Sequence, residues 1–149
     1  MAVRILAVGI NDQNELSVEE HGRANVFCRS DEPYDIHIVL SGPRTSGAEF
    51  CSSSQDPPAF SWVDTPPDLV FPMLKMQTKR MLKLLDVNAG PASAGAWRYQ
   101  LSVRRGSTLY QTTFDNSPVD IPPDDCGDQD ATDDLVSIFM VNNPIIINR

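Results

Sequence analysis

Tyr34-Asp35-Ile36-His37-Ile38-Val39-Leu40 decides the fold class. Tyr34, Ile36, Ile38 and Leu40 fall on one face of an extended chain, and Asp35, His37 and Val39 on the other. A period of two with a polar outer face is the pattern of a half-buried antiparallel strand. The same period recurs downstream, where Trp97, Tyr99, Leu101 and Val103 alternate with Arg98, Gln100, Ser102 and Arg104. Gly106-Ser107 then turns the chain into residues 108–114, which completes a hairpin.

Working outward, residues 3–10 read as a strand apolar on both faces, ended by the turn-rich Asn11-Asp12-Gln13-Asn14. Residues 24–28 read as a second strand. Residues 41–58 read as a loop, with Gly42-Pro43, Gly47, three consecutive serines and Asp56-Pro57-Pro58. Short strands are expected over 59–63 and 69–71, on either side of Pro66-Pro67. Residues 73–87 can be read two ways. Their Met, Leu and Lys favour a helix that Pro72 could open, whereas alternation through Met81, Lys83, Leu85 and Val87 makes the second half a strand. Further strands are expected over 135–141 and, started by Pro144 at a sheet edge, over 145–147. The expected fold is all-β: an antiparallel β-sandwich of roughly eight or nine strands. With no internal repeat and no linker, residues 1–149 form one domain.

The chain carries twelve prolines, spread between its apolar runs, which suits short strands joined by loops. Its net charge of −8 is concentrated in one place. No Lys or Arg lies between Gly106 and Asn148, while Asp115, Asp120, Asp124, Asp125, Asp128, Asp130, Asp133 and Asp134 do. An acidic surface repels phosphate, which argues against nucleic acid and anionic membrane as partners. Nothing in the sequence reads as a targeting signal or reaches the length of a membrane span. Cys28, Cys51 and Cys126 are an odd number at wide spacings, the pattern of reduced cysteines in a cytoplasmic protein.

Few residues are placed for chemistry. His21 and His37 are the only histidines, and both read as solvated surface residues without a neighbouring nucleophile. No Cys/His pair has zinc spacing, and no glycine-rich turn precedes a lysine. Trp97 and Tyr99 share a face with Leu101 and Val103, so they read as core rather than as a sugar platform. In the acidic run, Asp128, Asp130, Thr132 and Asp134 alternate as oxygen donors, the kind of group that holds a hard cation such as calcium. It is not an EF-hand, because the sixth position would be Asp133 and the twelfth Phe139.

The chain ends Val141-Asn142-Asn143-Pro144-Ile145-Ile146-Ile147-Asn148-Arg149. This tail resembles that of the DP-EP proteins, small bacterial β-sandwich proteins that finish on Asp-Pro, apolar residues and Asn-Arg. The resemblance covers the last six or seven residues and, loosely, the strand layout. It implies a self-cleaving endopeptidase activity, cutting before proline near the C-terminus, and an aspartate–lysine crosslink. Carried over by position, Asn143 stands where the cleaved aspartate would be, with Pro144 after it. Two departures separate this chain from that pattern: the residue is Asn, and a crosslinking amine must come from Lys75, Lys79 or Lys83, since no lysine follows. Cleavage by attack of the Asn143 amide nitrogen on its own carbonyl would still need strain and a carboxylate base.

The leading expectation is therefore a cytoplasmic structural or interaction module that self-associates into a homo-oligomer, without enzymatic activity or cofactor. Self-processing at Asn143-Pro144 is the first alternative. A calcium-dependent binding module built on Asp128, Asp130 and Asp134 is the second.

Overall fold

The computed structural model describes residues 1–21, 25–114, 126, 138–141 and 143–149, with backbone alone for 19–21 and 138–141. Period-two alternation is expressed as strands almost wherever it occurs. The strands are β1 (Ala2–Ile10), β2 (Leu16–His21), β3 (Val26–Phe27), β4 (Tyr34–Leu40), β5 (Ala48–Phe50) and β6 (Phe60–Trp62). After them come β7 (Met73–Thr78), β8 (Met81–Asp86), β9 (Gly95–Arg105), β10 (Thr108–Gln111), β11 (Ile138–Val141) and β12 (Ile145–Asn148). Two short 3₁₀ turns, at Pro43–Thr45 and Pro91–Ser93, lie between the strands.

The strands form two packed sheets, the expected all-β sandwich. One runs in the order β11-β2-β1-β4-β8-β7, and the other β10-β9-β12-β3, with β5 and β6 also paired to β9. The pairing is mixed rather than wholly antiparallel: β1 lies parallel to β4, and β3 parallel to β12. Among the described residues, twelve strands stand where eight or nine were expected. The surplus comes from β2, from β5 inside the expected loop, and from β7. Residues 69–71 form a turn instead of a strand.

The ambiguous segment 73–87 is a hairpin, β7 and β8, turning at Lys79-Arg80. Its helix-forming side chains are overruled by pairing. The Arg80 guanidinium donates to the carbonyls of Thr45 and Ala48 at 2.8 and 2.9 Å, which fastens the turn to the neighbouring loop. β8 then completes a ladder of six residue pairs against β4. A strand's preference for its partners is worth as much as its intrinsic propensity.

The core lies between the sheets. Leu6, Val8, Ile36, Ile38, Leu82 and Leu84 from the first sheet meet Phe27, Phe50, Tyr99, Leu101, Val103 and Ile146 from the second. The alternation that began with Tyr34 holds throughout β4, whose even-numbered residues are buried. Tyr99 stacks on Phe60 at 5.0 Å, and Trp62, Phe71 and Trp97 extend the aromatic group. Trp97 and Tyr99 are thus core residues, as their stripe indicated.

Candidate functional site

Two places hold residues singled out by the sequence, the tail and the outer face of the first sheet, and a buried polar cluster that the sequence did not announce lies beneath the tail. The tail crosses from one sheet to the other, since β11 is an edge of the first and β12 lies inside the second. β12 is therefore an interior strand between β9 and β3, not an edge strand started by proline. Pro144 is buried and its carbonyl accepts the Tyr99 N–H at 3.1 Å. Ile146 and Ile147 are buried, and the Ile147 and Arg149 N–H groups donate to the carbonyls of Asn25 and Phe27. Asn143 is half-buried, with its Oδ1 enclosed and without a hydrogen-bond partner.

Below this strand, Asn148 Nδ2 donates to Asp86 Oδ1 at 2.8 Å and to the Ser93 carbonyl at 3.1 Å. Ser93 Oγ is 2.9 Å from Asn88 Oδ1, and Asn88 Nδ2 in turn donates to the Phe27 carbonyl. Asp86 is fully buried, and burial pushes its carboxyl up to about 6, an effect the Asn148 hydrogen bond does not offset. This carboxyl meets the tail five residues from Asn143, a distance of about 16 Å along a strand. It is too far away to act as a base there. The lysines do not reach Asn143 either: Lys75 and Lys83 stand on β7 and β8 and Lys79 in the turn between them, at the edge of the first sheet opposite β11.

On the outer face of that sheet, β1, β4, β8 and β7 line up their outward residues in rows. One row is Val3, Asp35, Leu85 and Met73, and the next is Ile5, His37, Lys83 and Lys75. Val3 is 55% exposed and Ile5 62%. At the centre, Asp35 Oδ2 lies 3.1 Å from His37 Nε2 and 3.4 Å from Lys83 Nζ. Burial pushes the Asp35 carboxyl up, but the hydrogen bonds and charges of His37 and Lys83 together hold it below its usual value. His37 is therefore a partly covered member of an ion cluster, not the solvated residue expected. The side chain of His21 lies outside the described residues.

Asp128, Asp130 and Asp134 also lie outside the described residues. The cysteines correct the sequence reading, because Cys28 and Cys126 form a disulfide and only Cys51 is free. Wide spacing concealed the pair: the fold brings together residues 98 apart in sequence. The three reduced cysteines from which a cytoplasmic protein was expected are thus one disulfide and one thiol. Among the described residues, no helix is long and apolar enough to cross a membrane. Compared with protein-family models, curated proteins and solved structures, the chain matches none.

Proposed function

We propose that the protein is an interaction module that pairs with a second copy of itself through the outer face of the β1–β4–β8–β7 sheet. One observation carries the reading: Val3 and Ile5 stand more than half exposed beside partly covered Leu85 and Met73, on a sheet face that normally alternates to polar. Charge favours a second copy as the occupant. Two chains of net charge −8 repel each other, but this face carries Lys75 and Lys83 against the single carboxylate of Asp35. It is a place where two copies can meet without acid facing acid, and a two-fold pair is the commonest form of association. Sedimentation of the parent should show a dimer, and Ile5→Glu should give a folded monomer. A parent that stays monomeric at high micromolar concentration counts against the reading.

The disulfide favours an oxidising compartment for this module over the cytoplasm. Self-processing at Asn143-Pro144, the activity the DP-EP resemblance implies, remains a second reading. It is favoured by the enclosed, unpartnered Asn143 Oδ1 directly before a buried proline. The Asn143 amide nitrogen would close a succinimide on its own backbone carbonyl, and its proton would leave with the Pro144 amine. Because β12 is an interior strand, the released peptide would stay in place, so only mass measured under denaturing conditions can reveal the cut. Loss of residues 144–149 in the parent but not in Asn143→Ala supports it, and an unchanged mass over weeks opposes it.

A further inference from the structure

Asp86 and Asn148 leave two atoms without partners. The Asn148 amide orientation is fixed, since Nδ2 faces two acceptors, Asp86 Oδ1 and the Ser93 carbonyl. That leaves Asp86 Oδ2 and Asn148 Oδ1 enclosed without a hydrogen bond. An ionised carboxylate and an amide oxygen both only accept, so as carboxylate and amide neither can satisfy the other. Unsatisfied buried acceptors are uncommon and costly. A single proton on Asp86 Oδ2, donated to Asn148 Oδ1, would satisfy both atoms.

We propose that Asp86 is built into the fold as the neutral acid and forms with Asn148 a two-bond acid–amide pair, a proton-operated latch on the C-terminal strand. The surroundings fit a neutral group. From β4, Tyr34 stands directly opposite Asp86, but its hydroxyl is given to the Cys28 carbonyl at 2.6 Å. From β1, the Arg4 guanidinium lies over the Tyr34 ring, 5.6 Å from its centroid, and donates to the Val26 carbonyl. From β12 come Asn148 and the chain-end Arg149, whose carbonyl accepts from Asn88. From the turn after β8 come Asn88 and Ser93, both neutral. Asp35, His37, Lys83 and Lys75 belong to the outer face of the sheet.

The sign of the pH dependence follows. Asp86 holds its proton more tightly in the folded chain, up to about 6 against an ordinary 3.8. Its contribution is therefore complete below the ordinary value and is lost as pH rises through about 6. Paired carboxylates give the opposite trend. The latch is independent of the proposed self-association, since it lies between the sheets and not on the outer face.

Asp86→Asn decides the matter, because an Asn side chain at this position can donate to Asn148 Oδ1 and accept from Nδ2 at every pH. Thermal unfolding of the parent and of Asp86→Asn should be compared from pH 4 to pH 8. The two should agree within a few degrees at pH 4. Above pH 7 the variant should be the more stable, by about a hundredfold in the folding equilibrium, as two pK units require. Exchange of the Ile147 and Arg149 amide hydrogens, corrected for the intrinsic rate, should quicken through pH 6 in the parent only. A stability difference that does not change between pH 4 and 8 overturns the proposal. Should the variant fail to fold, the parent's side-chain carboxyl carbon decides by NMR. A midpoint for Asp86 near 6 supports the latch, and one in the ordinary carboxylate range removes it.

Discussion

The two faces of the β1–β4–β8–β7 sheet carry similar residues under different conditions. On the inner face Leu6, Ile36, Ile38 and Leu84 are all 0% exposed, packed against the second sheet. On the outer face Val3 and Ile5 are apolar as well, but open to solvent. Composition alone does not separate them, because β1 is apolar on both sides. What differs is the layer above. An apolar side chain contributes to folding in proportion to the area it removes from water, so the inner residues hold the fold together. The outer ones contribute to whatever binds there. The Asp35–His37–Lys83 cluster stands on the outer face, beside these exposed apolar residues.

The most direct way to break this comparison is to truncate one residue on each face. Ile38→Ala should lower stability by about 3 kcal/mol, from lost transfer energy and the cavity left behind. Ile5→Ala should change the stability of the monomer by no more than about 0.5 kcal/mol, in the range of surface substitutions. Urea unfolding measures both. Equal losses at the two positions would show that something covers Ile5 in the folded monomer, and the outer face would cease to be a free surface.

Much of this sheet could be read in advance, and the reasons for the gaps are physical. β4 and β9 were legible because an opposing sheet covers one face and leaves the other, so side chains alternate. β7 was not legible, because as an edge strand it has five of its six residues exposed and Lys, Met and Gln sit on it without alternation. β2 and β5 are short and lie next to turns or polar residues, so composition obscured them. The parallel pairings left no mark either, since a strand's sequence does not say in which direction its neighbour runs. The tail was recognised as a strand but placed at an edge, since the proline that begins it suits an edge as well as an entry. The Asp86–Asn148 pair gave no signal, because it joins residues 62 apart and both look like ordinary strand-end polar residues. The Cys28–Cys126 pairing was hidden for a similar reason.

A smaller effect comes from the ion cluster at the centre of the outer face. Asp35→Asn leaves Lys83 and Lys75 opposite each other across β7 and β8 with no carboxylate beside them. Folding stability should fall by about 1 kcal/mol or less, as expected of partly exposed pairs. Self-association should weaken more clearly, about tenfold, because like charges then face each other across the interface. The pH trend opposes that of Asp86. Asp35 is held below its ordinary value, so its contribution is present above that value and is lost as pH falls through the depressed one. Sedimentation between pH 3 and pH 6 should show association declining toward acid in the parent and flat in Asp35→Asn. A decline of the same size in both would assign the acid sensitivity elsewhere.

The smallest effect separates charge in general from calcium in particular. Each copy carries −8, and eight of its acidic residues lie between Gly106 and Asn148, so two copies repel each other over distances that salt can screen. The screening length is about 10 Å at 0.1 M ionic strength and about 3 Å at 1 M. Adding sodium chloride over that range should tighten self-association a few-fold, although Asp35 and Lys83 favour the contact locally. It should leave the inner face unaffected, since the apolar contacts there carry no charge to screen. Calcium chloride at matched ionic strength should do no more than this if the acidic run is only a source of charge. If Asp128, Asp130 and Asp134 hold the ion, millimolar calcium should also raise the melting temperature, because a ligand bound only by the folded state stabilises it by mass action. Changing the three to Asn should abolish that rise and, by lowering the net charge, should also weaken the dependence on sodium chloride. A melting temperature that responds equally to both salts assigns the acidic run to electrostatics alone. Dimerisation that weakens with sodium chloride would mean that attraction rather than repulsion between charges governs the outer face, and the apolar rows of Val3 and Ile5 would no longer be its main contact.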